Sequence, residues 1–307
     1  MSVSTAEPSR DTASLRGTRR SGRRLPRRAA ASRRSFAATM AALDAAATAG
    51  AQVSVHVTDL DRGTTVVTGD AHLTLPVAGI GVVPLLIDVA AQVDAGTLDP
   101  FELIERTRVA PVTVGGLWHR LAAPALPVCD LAVLAAAAGD AAAANALLAR
   151  VGVEAVRARI EQVGLERTAL MDGFRDRRGP DHAPHVAVAT AEELAALFGD
   201  LVNSRVVSPA VSAQVAEWLS LNHDLALTAA ATGLDPFAHD DDRHGLLFLN
   251  KTGRSDGVRA EAGVIAGPRA GVSYAMIVCF DDLSIAHRLR AHDAFRVFGL
   301  DLMEYVY

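Results

Sequence analysis

Lys251 is the single lysine in a chain of 307 residues whose other basic side chains are 29 arginines. It stands in the tripeptide Lys251-Thr252-Gly253, inside the stretch 249–265 that also carries Arg254, Arg259 and Glu261. An ammonium is a compact point charge that gives up its proton when desolvated; a guanidinium does not. In a chain that uses arginine wherever a positive charge will serve, the one ammonium is a candidate for chemistry that arginine cannot do. Beside an acidic partner such as Asp140 or Glu261, a desolvated lysine works as a general base or an electrostatic stabiliser. The plain reading is that one lysine falls somewhere by chance, usually on the surface. Arg259 and Glu261, two apart, are also placed to pair with each other on a strand.

Lys-Thr-Gly followed by Gly257-Val258-Arg259-x-Glu261-x-Gly263 closely resembles the class A serine β-lactamases and their penicillin-binding relatives. Those enzymes carry Ser-x-x-Lys, Ser-Asp-Asn and Lys-Thr-Gly. The third signature is intact here. The first falls in 75–86, where Pro76 and Pro84 hold the register, and its nucleophile and lysine positions are Gly79 and Val82. The second falls in 139–147, where Asp140 and Asn145 match but the serine and asparagine positions are Gly139 and Ala141. Met171-Asp172 matches the family's acidic loop, and the expected glutamate is Gly173, Phe174 or Arg175. The resemblance covers residues 36–307. It implies an α+β fold (an α/β sandwich) with an antiparallel sheet of about five strands flanked by helices, plus an all-helical subdomain.

Acyl transfer needs a nucleophile with a base in hydrogen-bond reach. Glycine and valine offer neither, and losing a nucleophile removes most of an enzyme's rate enhancement. The oxyanion hole implied by the resemblance uses backbone N–H groups, those of Gly79 and Arg254, which survive side-chain loss. The expectation is a pocket binding a small carboxylate-bearing or amide-like ligand through Lys251, Thr252, Gly253, Arg254 and Arg259. Gly79, Val82, Gly139 and Ala141 would widen and dry its walls. Trp118 would stack on the ligand or pack among helices. Two other readings stay open. One is an enzyme of altered chemistry, a cyclisation, isomerisation or elimination in small-molecule biosynthesis, with Lys251, Asp140 and Glu261 as its catalytic groups. The other is residual β-lactam hydrolysis through Ser255, Thr113 or Thr252, none of which has a base located by sequence. No cofactor motif is present.

These residues need elements to hold them. Helical spacing over 36–50 is followed by alternation over 52–59, a turn at Asp61-Arg62-Gly63 and a returning strand at 64–68. A helix is expected from 79 to 95, others over 154–162, 190–203 and 209–219, and Thr190 with Glu193 forms a capping-box signature. Strands are expected at 246–250, 258–266 and 272–280, then a final helix over 285–306. The expected domains are a sheet domain of 35–72 with 205–307 and an all-helical subdomain of 73–204.

Residues 1–34 hold ten arginines against Glu7 and Asp11, a net of +8, so the remainder carries −13 of the overall −5. So few apolar residues predict disorder. The arm reads as a solvated tail, a contact for an anionic surface, or a twin-arginine export signal at Ser32-Arg33-Arg34-Ser35-Phe36. Asp44 interrupts the apolar run behind it, so the cytoplasm is the expected compartment. No apolar run reaches the about 18 residues of a membrane span. His239, Asp240, Asp241, Asp242 and His244 read as a solvated loop rather than a metal site. Cys129 and Cys279 suit a reduced pair.

Overall fold

The computed structural model describes residues 36–113, 115–239, 245–282 and 284–307. The readings of the arm at 1–34, and Asp240–His244 of the acidic run, lie outside the described residues. Among the described residues no helix is long and apolar enough to cross a membrane, and no group of three His, Cys, Asp or Glu is arranged to hold a metal.

Eight α-helices and ten strands follow in chain order among the described residues. The strands are β1 (Gln52–Asp59), β2 (Thr64–Gly69), β3 (Leu75–Pro76), β4 (Leu103–Glu105), β5 (Ala125–Pro127), β6 (Ala169–Leu170), β7 (Ala187–Ala189), β8 (Leu247–Ser255), β9 (Val258–Ala266) and β10 (Gly271–Cys279). The helices are α1 (Ala37–Thr48), α2 (Val82–Asp94), α3 (Val128–Ala137), α4 (Ala141–Val151), α5 (Val153–Gln162), α6 (Ala191–Val202), α7 (Pro209–Ser220) and α8 (Ile285–Val306). The protein is α+β. Its main sheet is antiparallel and five-stranded, in the order β2-β1-β10-β9-β8, so the Lys-Thr-Gly strand β8 lies at one edge.

Helices α1 and α8 cover one face of this sheet, where Phe36, Leu43, Tyr274, Phe295, Phe298 and Leu302 form a closed core. Helix α6 covers the other face, beside a second core that runs back through α2, α3, α4 and α7. Burying each large apolar side chain contributes roughly 1.5–3 kcal/mol. Covering both faces explains a departure in β1: its alternation predicts a half-buried strand, yet Ser54, Val55, His56 and Val57 are all buried. The stretch 73–204 is not purely helical, because β3-β7-β6 and β4-β5 form two small sheets within it.

Local chemistry sets the ends of these elements. Thr190 caps α6 by accepting from the Glu193 N–H. Glu193 does not complete the reciprocal box, because its carboxylate accepts instead from the Glu166 and Arg167 N–H groups and the Thr168 hydroxyl. The chain before α2 is a 3-10 turn, Ala78–Gly81, lying against β8. Strand β8 runs past its expected end at 250 and carries Lys251, Thr252 and Gly253 within it.

Candidate functional site

The cleft lies where the 3-10 turn and the N-terminus of α4 meet the free edge of β8. Ala78 takes a left-handed φ of +45°, a conformation that costs a non-glycine residue roughly 1–2 kcal/mol and collects at functional turns. It presents Gly79 to the strand. A Cβ added at Gly79 would stand 2.9 Å from the Thr252 carbonyl oxygen, a spacing real Cβ atoms do not adopt. A Cβ at Gly253 would run into the Val77 carbonyl oxygen. Strand and turn therefore touch backbone to backbone. This corrects the expectation of a widened cavity at Gly79: the strand lies where a side chain would begin. Val82 opens α2 and is 2% exposed in the helical core, so it too fills rather than lines.

Gly139 joins α3 to α4 with φ +60°, and a Cβ there would sit 3.9 Å from Lys251 Nζ. The fold thus brings Gly139 and Lys251 together across the cleft and brings Gly79 against β8 from below. Ala141 is buried in the first turn of α4. Asp140 caps that helix: Oδ1 accepts from the Ala143 N–H at 2.9 Å, and Oδ2 accepts from the Leu117 and Trp118 N–H groups, both at 2.7 Å. Its oxygens brace a helix and a loop, an arrangement unlike the catalytic partner of Lys251 expected from sequence. Trp118 is 0% exposed and donates from Nε1 to the Ala123 carbonyl, so of the two readings, stacking on a ligand or packing among helices, it takes the second.

Lys251 is 2% exposed. Its nearest polar partner is Asn222 Oδ1, 3.4 Å from Nζ. Burial lowers its pKa to about 8; the Asp224 carboxylate pulls the other way and the Arg254 guanidinium adds to the lowering. Asn222 donates to Asn250 Oδ1 at 2.7 Å, and Asn250 donates to Glu261 Oε1 at 2.8 Å. Glu261 also accepts from the Tyr274 hydroxyl and the Thr228 N–H, each at 2.8 Å. Burial raises Glu261 to about 7, against those three donors, which favour the charged form. Cross-strand register pairs Lys251 with Ala262 and Thr252 with Glu261, so strand alternation turns Lys251 and Glu261 to opposite faces. Among the described residues two asparagines join them by hydrogen bonds, which corrects the expected direct partnership. Arg259 does not pair with Glu261 either; its guanidinium donates to the Ser255 and Val258 carbonyls.

The exposed end of the site is built around Asp224, in the loop after α7. Its Oδ2 accepts from Thr252 Oγ1 at 2.7 Å and Arg254 Nε at 2.7 Å, and its Oδ1 accepts from Arg254 Nη2 at 2.6 Å. Thr252 is the one proposed hydroxyl in the cleft with a carboxylate at hand. Both oxygens of that carboxylate are already held by a guanidinium fork. Thr113 donates instead to Asp176, away on the loop. The Thr252 carbonyl faces Gly79, so by the two-residue alternation of a strand the Arg254 N–H also points away from β9 into the cleft.

Asn145 clamps the loop after β6, donating to the Phe174 carbonyl and accepting from its N–H, both at 2.8 Å. The clamp holds Phe174, one of the three positions where the resemblance expects a glutamate, and its side chain packs on the helical core. Asp172, next to it, is held to about 2 by the Arg175 guanidinium, with Arg178 and the Gly173 N–H assisting, and is no base at neutral pH. A cavity of about 630 Å³ opens behind this loop, between Val109–Val112 and α4. Neither Gly79 nor Lys251 lines it.

Sequence reasoning missed Asn222, Asp224, Asn250, Thr228 and Tyr274. One signal was available: Asn222 and Asp224 directly follow the apolar end of a helix, where short polar side chains commonly organise a turn.

An edge-strand Lys-Thr-Gly facing a helix start, on a five-stranded sheet with helices on both faces, defines the β-lactamase fold. Comparison with known proteins places the chain there. It belongs to the Beta-lactamase enzyme family, whose model matches residues 35–306. Among solved structures it is similar to a β-lactamase from Sphaerobacter thermophilus DSM 20745, at TM-score 0.74 and 22% identity over 87% of this chain and 96% of that one. It is also similar to PBP-A, at TM-score 0.72 and 18% identity over 87% and 94%. A β-lactamase from Xanthomonas campestris pv. campestris str. ATCC 33913 gives TM-score 0.72 and 18% identity over 88% and 97%. No curated protein matches the chain.

Proposed function

We propose that this protein is a β-lactamase-fold member without the serine nucleophile, whose β8 edge binds a small carboxylate-bearing ligand. The observation that carries this reading is the contact at Gly79. A Cβ there would lie 2.9 Å from the Thr252 carbonyl, which supports a position that carries no attacking side chain. What remains points to anion recognition. Thr252 and Arg254 hold a carboxylate in a planar fork. The Arg254 N–H faces the cleft, and the buried Lys251 ammonium lies behind. Incubation with a fluorescent penicillin and a chromogenic cephalosporin is expected to give neither adduct nor turnover. Thermal shifts against a panel of small carboxylates are expected to identify a ligand whose effect is lost in Arg254→Ala and reduced in Lys251→Ala. A covalent adduct that disappears in Thr252→Val would replace this reading with acyl transfer.

One observation favours a second reading, an enzyme of altered chemistry. Burial brings Lys251 to about pKa 8, where a free amine is accessible near neutral pH and can take a proton from a bound ligand. Turnover of the identified ligand that rises through pH 8 and vanishes in Lys251→Arg would establish it.

The compartment we propose is the cytoplasm. The run that an export signal would need is part of the fold: Phe36 and Leu43 are buried in the sheet core, and Thr39 bonds the Asp301 carboxylate with both its N–H and its hydroxyl. Cell fractionation that recovers a chain truncated beyond Leu43 outside the cytoplasm would contradict this.

A further inference from the structure

We infer that Asp224 is a resident competitor in the anion-binding edge, and that a ligand carboxylate enters by displacing it. The inference rests on the carboxylate-binding reading above. Thr252 Oγ1, Arg254 Nε and Arg254 Nη2 are the donors that such a ligand would use, and all three already serve Asp224 at 2.6–2.7 Å. Two planar oxygens against a guanidinium fork is the geometry by which arginine takes any carboxylate, so the internal group and an external one compete for one seat.

The seat opens to solvent, and beyond the fork and Thr252 the Asp224 carboxylate takes one long bond, 3.4 Å from the Ala226 N–H. The side chains of Asp224 and Arg254 are 31% and 36% exposed, so the pair is reached from outside. An ion pair this exposed is weak. The backbone on both sides of Asp224 is fixed: Asn222, Leu225 and Leu227 are buried, and the Thr228 N–H is held by Glu261. Exchange therefore needs a rotation of one side chain and leaves the loop in place.

This arrangement also narrows the ligand. Asp224 is tethered, so it competes at an effective concentration on the order of millimolar or above. A lone carboxylate gains nothing that Asp224 does not already supply. A ligand that wins must bring a second anchor, a carbonyl or a second anion, for the N–H group of Arg254 or for the Lys251 ammonium. The ligand class is thus a carboxylate with a second acceptor on the same small molecule.

The test titrates acetate, succinate and hydrolysed benzylpenicillin into wild type, Asp224→Ala, Asp224→Asn and Asp224→Ala/Arg254→Ala by calorimetry. In wild type, acetate is expected to be silent while at least one of the two-anchor probes binds. In Asp224→Ala, acetate binding is expected to appear and the two-anchor probe to tighten about tenfold or more, both gains being lost in the double variant. Equal affinities in wild type and Asp224→Ala overturn the displacement idea and leave the anion site standing. Weaker binding in Asp224→Ala also overturns it, since Asp224 would then be shaping the fork rather than occupying it. No binding by any variant removes the anion site itself, and this inference with it. Asp224→Asn keeps an oxygen for Thr252 without the charge. It decides the outcome by the same comparison if Asp224→Ala does not fold.

Discussion

At the start of α2 the cleft is all backbone; behind it, on the opposite face of β8 and β9, stands a wall that is nearly all side chain. On the first wall Gly79, with its neighbours Val82 and Ala78, presents peptide groups and apolar surface, and the strand lies against them without a gap. On the second wall Asn222, Asn250, Glu261 and Tyr274 are buried and joined by an unbroken series of hydrogen bonds. The difference teaches what each kind of wall demands of its residues. A glycine leaves nothing to satisfy, and neighbouring backbone can close in. A buried carboxylate must keep every donor it has, because each one left over costs a desolvation penalty.

That contrast can be broken from the side-chain wall first. Glu261→Ala strands the Asn250 amide, the Tyr274 hydroxyl and the Thr228 N–H, and denaturant unfolding is expected to show a loss of about 4 kcal/mol. A loss near zero would mean the wall stands without its network. On the backbone wall, Gly253→Ala drives a methyl into the Val77 carbonyl, with an expected loss of about 3 kcal/mol. If that variant is as stable as wild type, the two walls are not in contact.

The same wall is sharpened chemically by Gly79→Ser. The hydroxymethyl must push β8 away from 2.9 Å, so about 1–3 kcal/mol of stability is expected to go. No acylation by penicillin should return, since Val82 supplies no base. Mass spectrometry reads the adduct directly. The smallest effect belongs to the exposed rim: Arg254→Lys loses the fork but changes stability by less than about 1 kcal/mol, while binding of the carboxylate ligand falls measurably.

The pH dependence comes from β8 and β9 and splits between their two faces. Glu261 is raised from 4.5 to about 7, so the folded chain holds more protons than the unfolded one over that window. Its contribution is full below about 4.5 and drains away as pH rises to about 7. Lys251 is lowered from 10.5 to about 8, so over about 8–10.5 the unfolded chain holds more protons and stability climbs with pH. Each slope reaches at most about 1.4 kcal/mol per pH unit. These two groups together place a minimum between about pH 7 and 8. Urea midpoints across that range should lose the acid-side slope in Glu261→Gln and the alkaline-side slope in Lys251→Met.

The fold was legible because its signals are local. The 285–306 helix and the 258–266 strand read from periodicity fall where the structure places them, and Lys251 was found by being the only one of its kind. The site was legible only along single strands and turns. Glu261 meets Thr228 from 33 residues away, and Asp224 meets Arg254 from 30, distances at which no spacing rule speaks. Trp118 shows the opposite failure: an aromatic residue beside glycines at a pocket rim looks available for stacking, and only three-dimensional packing shows both faces of its ring covered. Gly79 is subtler still. A sequence shows that a side chain is gone, but not whether a hole or a neighbour has replaced it.

That neighbour makes the turn and the strand one unit. A side chain at residue 79 would begin 2.9 Å from the Thr252 carbonyl, so it cannot be added without moving β8. Which residue this turn accepts is therefore decided by where the edge strand lies as much as by the turn itself.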